Sequence, residues 1–411
     1  MIRQTLLATI VASTLALATP FVTHADTPPA TPSAQQVLTH YADIAYANYT
    51  DSLNSAKTLQ TAIDTFIEKP SAETQQAAKD AWLKARHSYS QTEVYRFGNP
   101  NVDEWEGRVN AWPLDEGLID YVKTDAYEHE DGNQFAKANI IAGTEPITAE
   151  LLESYQEKGG SEANVAIGYH AVEFLLLGQD LNEDPKQAGQ RSYTDYLQGE
   201  SCTNGHCERR AAYLKTVTEL LVKDLETMVK DWEPNHDNYR KAFLALDEAE
   251  GIRRILFGMG SLSLGELAGQ RMNVALLAHS QEDEHSCFSD NTHDDIKQNI
   301  QGVENVYLGR YIKADGSTLE GASLSQLVAA KDAKADTALK TQLTTALNHA
   351  DTIVKTAQAG TAFDQQIAAG NEHNAQVKAT IDALKTQTAA IERAASSLGI
   401  QNLNPEPLEA E

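Results

Sequence analysis

The sequence predicts an all-α protein of two helical bundles. Three observations predict it. Apolar residues recur at spacings of three and four through most of the chain, and no strand-like alternation runs longer than a few residues. The periodic stretches are long and their connections short, as in antiparallel bundles. At 411 residues the chain exceeds one usual domain. The pattern breaks at Trp232-Glu233-Pro234-Asn235-His236, which divides it into bundles over 34–233 and 234–411.

Residues 1–25 read as a secretory signal peptide. Arg3 gives the positive start, Leu6 to Ala18 the apolar run, and Thr23-His24-Ala25 a cleavage site before Asp26. The run falls short of the ~20 apolar residues that span a membrane. No Cys follows the cleavage point, which argues against a lipoprotein. The expected location is the periplasm or cell envelope, with no transmembrane segment in the mature chain. Residues 26–33, rich in Thr, Pro and Ala, read as a disordered leader.

The first helix runs from Ala34 to Ile67, on a stripe of Val37, Tyr41, Ile44, Leu53, Ala56, Leu59, Ile63 and Phe66. Asn48 interrupts the stripe, and Lys69-Pro70-Ser71 ends the helix. A second helix covers Glu73 to Tyr95. Phe97 to Trp112, with Gly98, Asn99, Pro100 and Gly107, reads as a long loop. Helices follow over Glu162–Leu177 and Glu208–Val229, separated by a polar, turn-rich loop from Gly178 to Cys207. Beyond the break, helices are expected near 237–249, 250–279, 293–312, 322–356 and 373–398. The last stretches are rich in Ala, Thr and Gln and read as scaffold.

The chain carries a formal charge of −26. Such a surface repels nucleic acid and anionic membranes, attracts cations, and also serves solubility. Of three cysteines, Cys202 and Cys207 bracket a short loop, which in an oxidising compartment reads as a local disulfide. Covalent haem attachment needs Cys-x-x-Cys-His; here four residues intervene and Glu208 follows. Cys287 reads as a buried thiol.

Three segments hold residues that could carry chemistry. In GYHAVEFLLLG, Val165, Tyr169, Val172 and Leu176 form one apolar stripe, and His170 and Glu173 lie one turn apart on the adjacent one. A neutral imidazole and a carboxylate so placed can grip one ion, or merely hydrogen-bond each other. The loop from Gln91 to Tyr121 concentrates aromatics, acids and arginines; it reads equally as a built site or as a plug for the bundle end. The segment from Gly258 to Asp295 places Gly258, Gly260, Gly265 and Gly269 in a helix, where they allow close approach or a kink. Its later His and acidic residues, Glu284 and His285 among them, could bind metal, but read first as a solvated, capping turn. No Gly-x-Ser-x-Gly, phosphate loop or His-Glu-x-x-His occurs.

Together these segments resemble the imelysin-like family, in particular its iron-regulated branch. Gly168, His170 and Glu173 match the signature Gly-x-His-x-x-Glu. The match continues through FLLLGQD, CTNGHCERR, GRVNAWPLDEG and EHSCFSDNTHDD, so it covers nearly the whole mature chain. The resemblance implies an all-helical bacterial envelope protein linked to iron uptake, with its site at the interface of two bundles. The family's name comes from an insulin-cleaving metallopeptidase. The resemblance adds acids at Glu93 and Asp115 to the His170–Glu173 pair; a position where relatives carry a further acid falls on Ser90.

The polar residues of the three segments need partners, which predicts one shared cleft lined by Arg96, Trp112, Gly168, Glu266 and Arg271. The leading expectation is a periplasmic iron-acquisition protein whose metal ligands are His170, Glu173, Glu93 and Asp115. The cargo is an iron ion, and the partner an envelope transporter or receptor. The alternatives are a haem-binding protein with His170 as axial ligand and a zinc metallopeptidase. The peptidase needs a third protein ligand, a base and an oxyanion stabiliser, and no third His presents itself. No catalytic residue is named.

Overall fold

A computed structural model describes residues 31–123, 127, 129–181 and 187–407. The expected signal peptide and most of the expected leader lie outside the described residues. The chain is all-α apart from one short hairpin.

Helix α1 (Ala34–Glu68) starts from a reciprocal cap between Ser33 and Gln36 and buries the predicted stripe. Asn48, the flaw in that stripe, is buried too: its amide donates to Ser88 O (3.1 Å) and Tyr311 Oη (3.3 Å). Helix α2 (Ala72–Ser90) stops short of the expected Tyr95. The Thr92 hydroxyl turns back onto Tyr89 O at 2.7 Å, and Glu93–Tyr95 form a separate tight turn. Gly98 then passes so close to the next layer that a Cβ would lie 2.2 Å from Arg254 O.

The expected loop 97–112 contains a short helix, α3 (Pro100–Glu106), which proline suits at its first turn. Helix α4 (Ala149–Glu153) precedes α5 (Gly168–Leu177), which starts six residues later than expected because Ile167 is extended. The polar loop then leads to α6 (Cys207–Trp232), and the Cys202–Cys207 disulfide closes just before it.

Beyond Glu233 come α7 (Tyr239–Leu244) and α8 (Glu248–Ser261). The single helix expected over 250–279 is in three parts: α8, a π-helical run (Leu262–Val274) and α9 (Ala275–Ala278). The wider π turn brings i and i+5 onto one face. It thereby lets Arg271 Nε donate to Glu266 Oε1 at 2.9 Å. The predicted glycine approaches are present: a Cβ on Gly258 would meet Val94 O at 2.9 Å, and one on Gly260 would meet Pro405 at 2.7 Å.

Helix α10 (Thr292–Leu308) ends before the expected 312. Strand β1 (Arg310–Ile312) instead pairs antiparallel with β2 (Thr318–Glu320). The helix expected over 322–356 is broken into α11 (Leu324–Lys331) and α12 (Ala333–Gln358) at Asp332, whose side chain caps the second. Helices α13 (Phe363–Ile367) and α14 (Asn374–Ser397) complete the fold.

The residues from Pro32 onward cluster as one compact unit, and helices from both sides of Glu233 share its main core. A second apolar cluster joins the π-run, α10, α12 and α14. Among the described residues no helix is long and apolar enough to cross a membrane.

Candidate functional site

Helix α5 sets the geometry of the site. Gly168 has φ +88°, and a Cβ there would lie 2.7 Å from Val109 O. Only glycine suits that position. Tyr169 N then donates to Val109 O at 2.8 Å, pinning the helix start against the loop that carries Trp112.

One turn in, His170 Nδ1 lies 2.8 Å from Glu173 Oε2. The other Glu173 oxygen accepts from Ser289 N (3.0 Å) and Ser289 Oγ (2.6 Å). With two donors on Oε1, the pair is best satisfied when Nδ1 carries the proton and donates to Oε2. That leaves His170 Nε2 as a lone pair, and this atom is buried with no hydrogen-bond partner.

Burial, with Arg86 and Arg271 nearby, holds the His170 imidazole well below the ordinary histidine range, so it stays neutral. Burial pushes Glu173 up to about 8 against the lowering effects of Ser289 and Arg86, so the carboxylate form that accepts from Nδ1 is the one that rising pH, or a cation on Nε2, favours.

His170 faces a cavity of about 440 Å³ whose wall includes Trp112, Asp115, Glu130, Glu162 and the segment from Glu282 to His285. These residues come from both sides of Glu233. The wall is strongly acidic. His285 is buried, its ring centre 5.0 Å from that of His170 and 5.1 Å from that of Trp112. It too is held well below its usual range, by burial and by Arg271 and Arg86. A second cavity of about 600 Å³ adjoins the first across Trp112, Pro113, Glu162 and Asp283, and holds Arg96, Glu106 and Glu266.

The structure divides the residues expected from the sequence. His170 and Asp115 share the first cavity, and Trp112 lines both. Asp115 is already engaged, accepting from Glu130 N at 3.2 Å and from the Asn133 amide. Glu173 stands behind His170, with both oxygens occupied.

Glu93 lines neither cavity. It accepts from Arg271 Nη2, from Asn299 Nδ2 at 3.0 Å and from Asn110 Nδ2 at 3.3 Å. Arg271 is spent in the same network, with Asn299 Oδ1 at 2.7 Å. Arg96 and Glu266 face the second cavity, and Gly168 contributes backbone shape. The expected single cleft is thus two adjoining cavities. Among the described residues, no three His, Cys, Asp or Glu side chains converge closely enough to hold a metal ion.

Arg86 carries no signal in the sequence, and Ser289 and Asp295 read there only as parts of a solvated, capping turn or a run of possible metal ligands. Arg86 is fully buried, with Asp295 Oδ1 at 3.2 Å from Nε and Asn110 Oδ1 at 2.5 Å from Nη1. Ser90, at the position where an acid was expected, donates to Asp295 Oδ1 at 2.8 Å. The carboxylate at that place comes from α10 instead.

The sequence profile of the family described as peptidase M75, imelysin, matches residues 45–391. Iron-regulated protein A of Synechococcus elongatus is 22% identical over 283 residues. That alignment covers 66% of this chain and 63% of the relative, so the chain spans less than two thirds of the relative's length. A crystal structure of a protein assigned as an iron-regulated protein A precursor, from Parabacteroides distasonis, superposes with a TM-score of 0.66. It covers 90% of this chain and 97% of its own, and at 18% identity it speaks for the fold alone. With its profile matched across both halves of the fold, this chain belongs to the imelysin family.

Proposed function

We propose that this protein is a periplasmic iron-acquisition protein that binds an iron ion in the cavity at His170. One observation carries the reading: a neutral, buried imidazole whose Nε2 has no partner faces an acidic cavity, while Glu173 holds its Nδ1 from behind. A carboxylate that fixes the tautomer and orientation of an imidazole is the usual support for a metal-bound histidine. Glu173 therefore positions His170 rather than holding the ion itself. Asp115 stands at the same cavity, and the acids around it raise the local concentration of cations. Glu93 belongs to the scaffold.

The name of the curated relative, iron-regulated protein A, supports iron as the cargo. Export rests on the leader sequence and fits the Cys202–Cys207 disulfide. Haem suits the cavity less well, because its two propionates add negative charge to a wall that already carries Asp115, Glu130 and Glu282. A peptidase would need a set of three protein ligands and an activated water.

The test is the metal content and visible spectrum of the protein purified from periplasm. Bound iron without a Soret band is expected. A Soret band, or zinc in place of iron, would overturn the reading.

A further inference from the structure

His285 belongs to a stretch that the sequence presents as a solvated, capping turn between α9 and α10. The structure buries it in the wall of the same cavity, against His170.

The separation of the two rings is informative. An imidazole nitrogen binds a first-row ion at roughly 2.1 Å and lies roughly 1.1 Å from its ring centre, which sets the ion about 3.2 Å from that centre. Two imidazoles on one ion at roughly 90–110° then have ring centres about 4.5–5.2 Å apart. The centres of His170 and His285 are 5.0 Å apart.

The surroundings of the two rings run in parallel. His170 Nδ1 is backed by Glu173 Oε2 at 2.8 Å; His285 Nδ1 faces Asp295 Oδ2 at 3.6 Å. Each carboxylate is fixed by serine: Glu173 by Ser289, Asp295 by Ser90 and Ser286. Besides Asp295, the polar group against the His285 ring nitrogens is the Arg86 guanidinium. Its Nη2 is 3.5 Å from both ring nitrogens, too long and too evenly shared for a directed hydrogen bond. The lone pair of His285 is therefore not committed to a strong partner.

We propose that His285 is a second protein ligand of the cation, and that His170 and His285 together grip one divalent ion of the ferrous class. This rests on the reading of the His170 cavity as a cation site. Two neutral imidazoles favour borderline ions such as Fe²⁺, Co²⁺ and Zn²⁺ over hard ferric, Mg²⁺ or Ca²⁺ ions, which want oxygen. The ion's other positions fall to water or to ligands it carries in. The carboxylates along the wall then act as a collecting field, with the two imidazoles as the grip.

The test is anaerobic titration of the mature protein with Fe²⁺ and with Co²⁺ as a spectroscopic probe, alongside ferric citrate. Wild type, His170→Gln and His285→Gln are compared, with circular dichroism as the check on folding. His285→Gln is expected to weaken Fe²⁺ and Co²⁺ binding at least about 100-fold, as His170→Gln does. A measurement on wild type alone guards against misfolding of the variant: the Co²⁺-bound protein should show two paramagnetically shifted imidazole N–H resonances. One such resonance, or His285→Gln binding within about threefold of wild type, overturns the second ligand and leaves the His170 site standing. Tighter binding of ferric ion than of Fe²⁺ overturns the ion class. A wild-type protein that binds none of these ions overturns the cavity reading itself.

Discussion

Two buried polar clusters lie side by side in this molecule, and they are built on opposite plans. Around Arg271 every charge is closed by a protein partner. Its Nε donates to Glu266, its Nη1 to Asn299 and its Nη2 to Glu93, and Asn299 and Asn110 occupy Glu93 further. Around His170 the plan is left open. The imidazole is oriented by Glu173, and its Nε2 is buried without a hydrogen-bond partner in a residue that lines the cavity. The difference teaches how to sort buried polar residues. A saturated network is scaffold, whatever its residue types suggest. An oriented, neutral donor atom beside a cavity is prepared for something else. Glu93 and Glu173, both expected as ligands, fall to scaffold and to positioning on this criterion.

The largest effect should come from breaking the closed cluster. Arg271→Met leaves Glu93 buried without its counter-charge, which costs about 3–5 kcal/mol. Thermal or denaturant unfolding measures it. A loss under about 1 kcal/mol would show that the cluster is not the closed scaffold described, since exposed pairs have values of that order.

A second, smaller loss is expected outside both clusters. Replacing Cys202 and Cys207 by Ala should cost about 2 kcal/mol, the order expected for a short loop. Cation binding should be unchanged, because the disulfide lies outside both cavities. Reduced cation affinity in this variant would tie the loop to the site and blur the contrast.

The open cluster should show itself in the pH dependence of the ion-free protein. An unfolded histidine gains its proton near pH 6.5, whereas folded His170 and His285 resist it until well below. The unfolded state therefore binds more protons as pH falls. Stability drops below pH ~6.5 by up to about 1.4 kcal/mol per pH unit for each histidine. Glu173 works in the other sense. With its pKa raised to about 8, its contribution is intact at low pH and is lost as pH rises through that value. The histidine part is isolated by subtraction: the acid-side slope of His285→Gln should be flatter than that of wild type. Equal slopes would mean that His285 is protonated in the fold.

Much of this fold was legible in the sequence, for physical reasons that can be named. Helices α1, α6 and α14 announce themselves because each buries one face over many turns. His170 and Glu173 were legible as a pair because helical spacing alone brings positions three apart together. Contacts between distant segments carry no such local signal. Glu93 meets Arg271 across 178 positions, and Ser289 meets Glu173 across 116. No periodicity announces either. The π-run was hidden because its apolar residues also fit an ordinary helix; the Glu266–Arg271 spacing of five was the one available hint. Asp332 reads as a surface acid until its capping of α12 shows that two helices meet there.

The proposed role of His170 is that of a ligand held in a preformed scaffold rather than that of a structural histidine. Iron titration of His170→Ala, set beside its ion-free thermal unfolding, tests it most directly. Iron binding is expected to be lost while the helical fold persists, with a smaller stability loss than Arg271→Met shows. Iron binding retained at wild-type affinity, together with a large loss of stability, would contradict it.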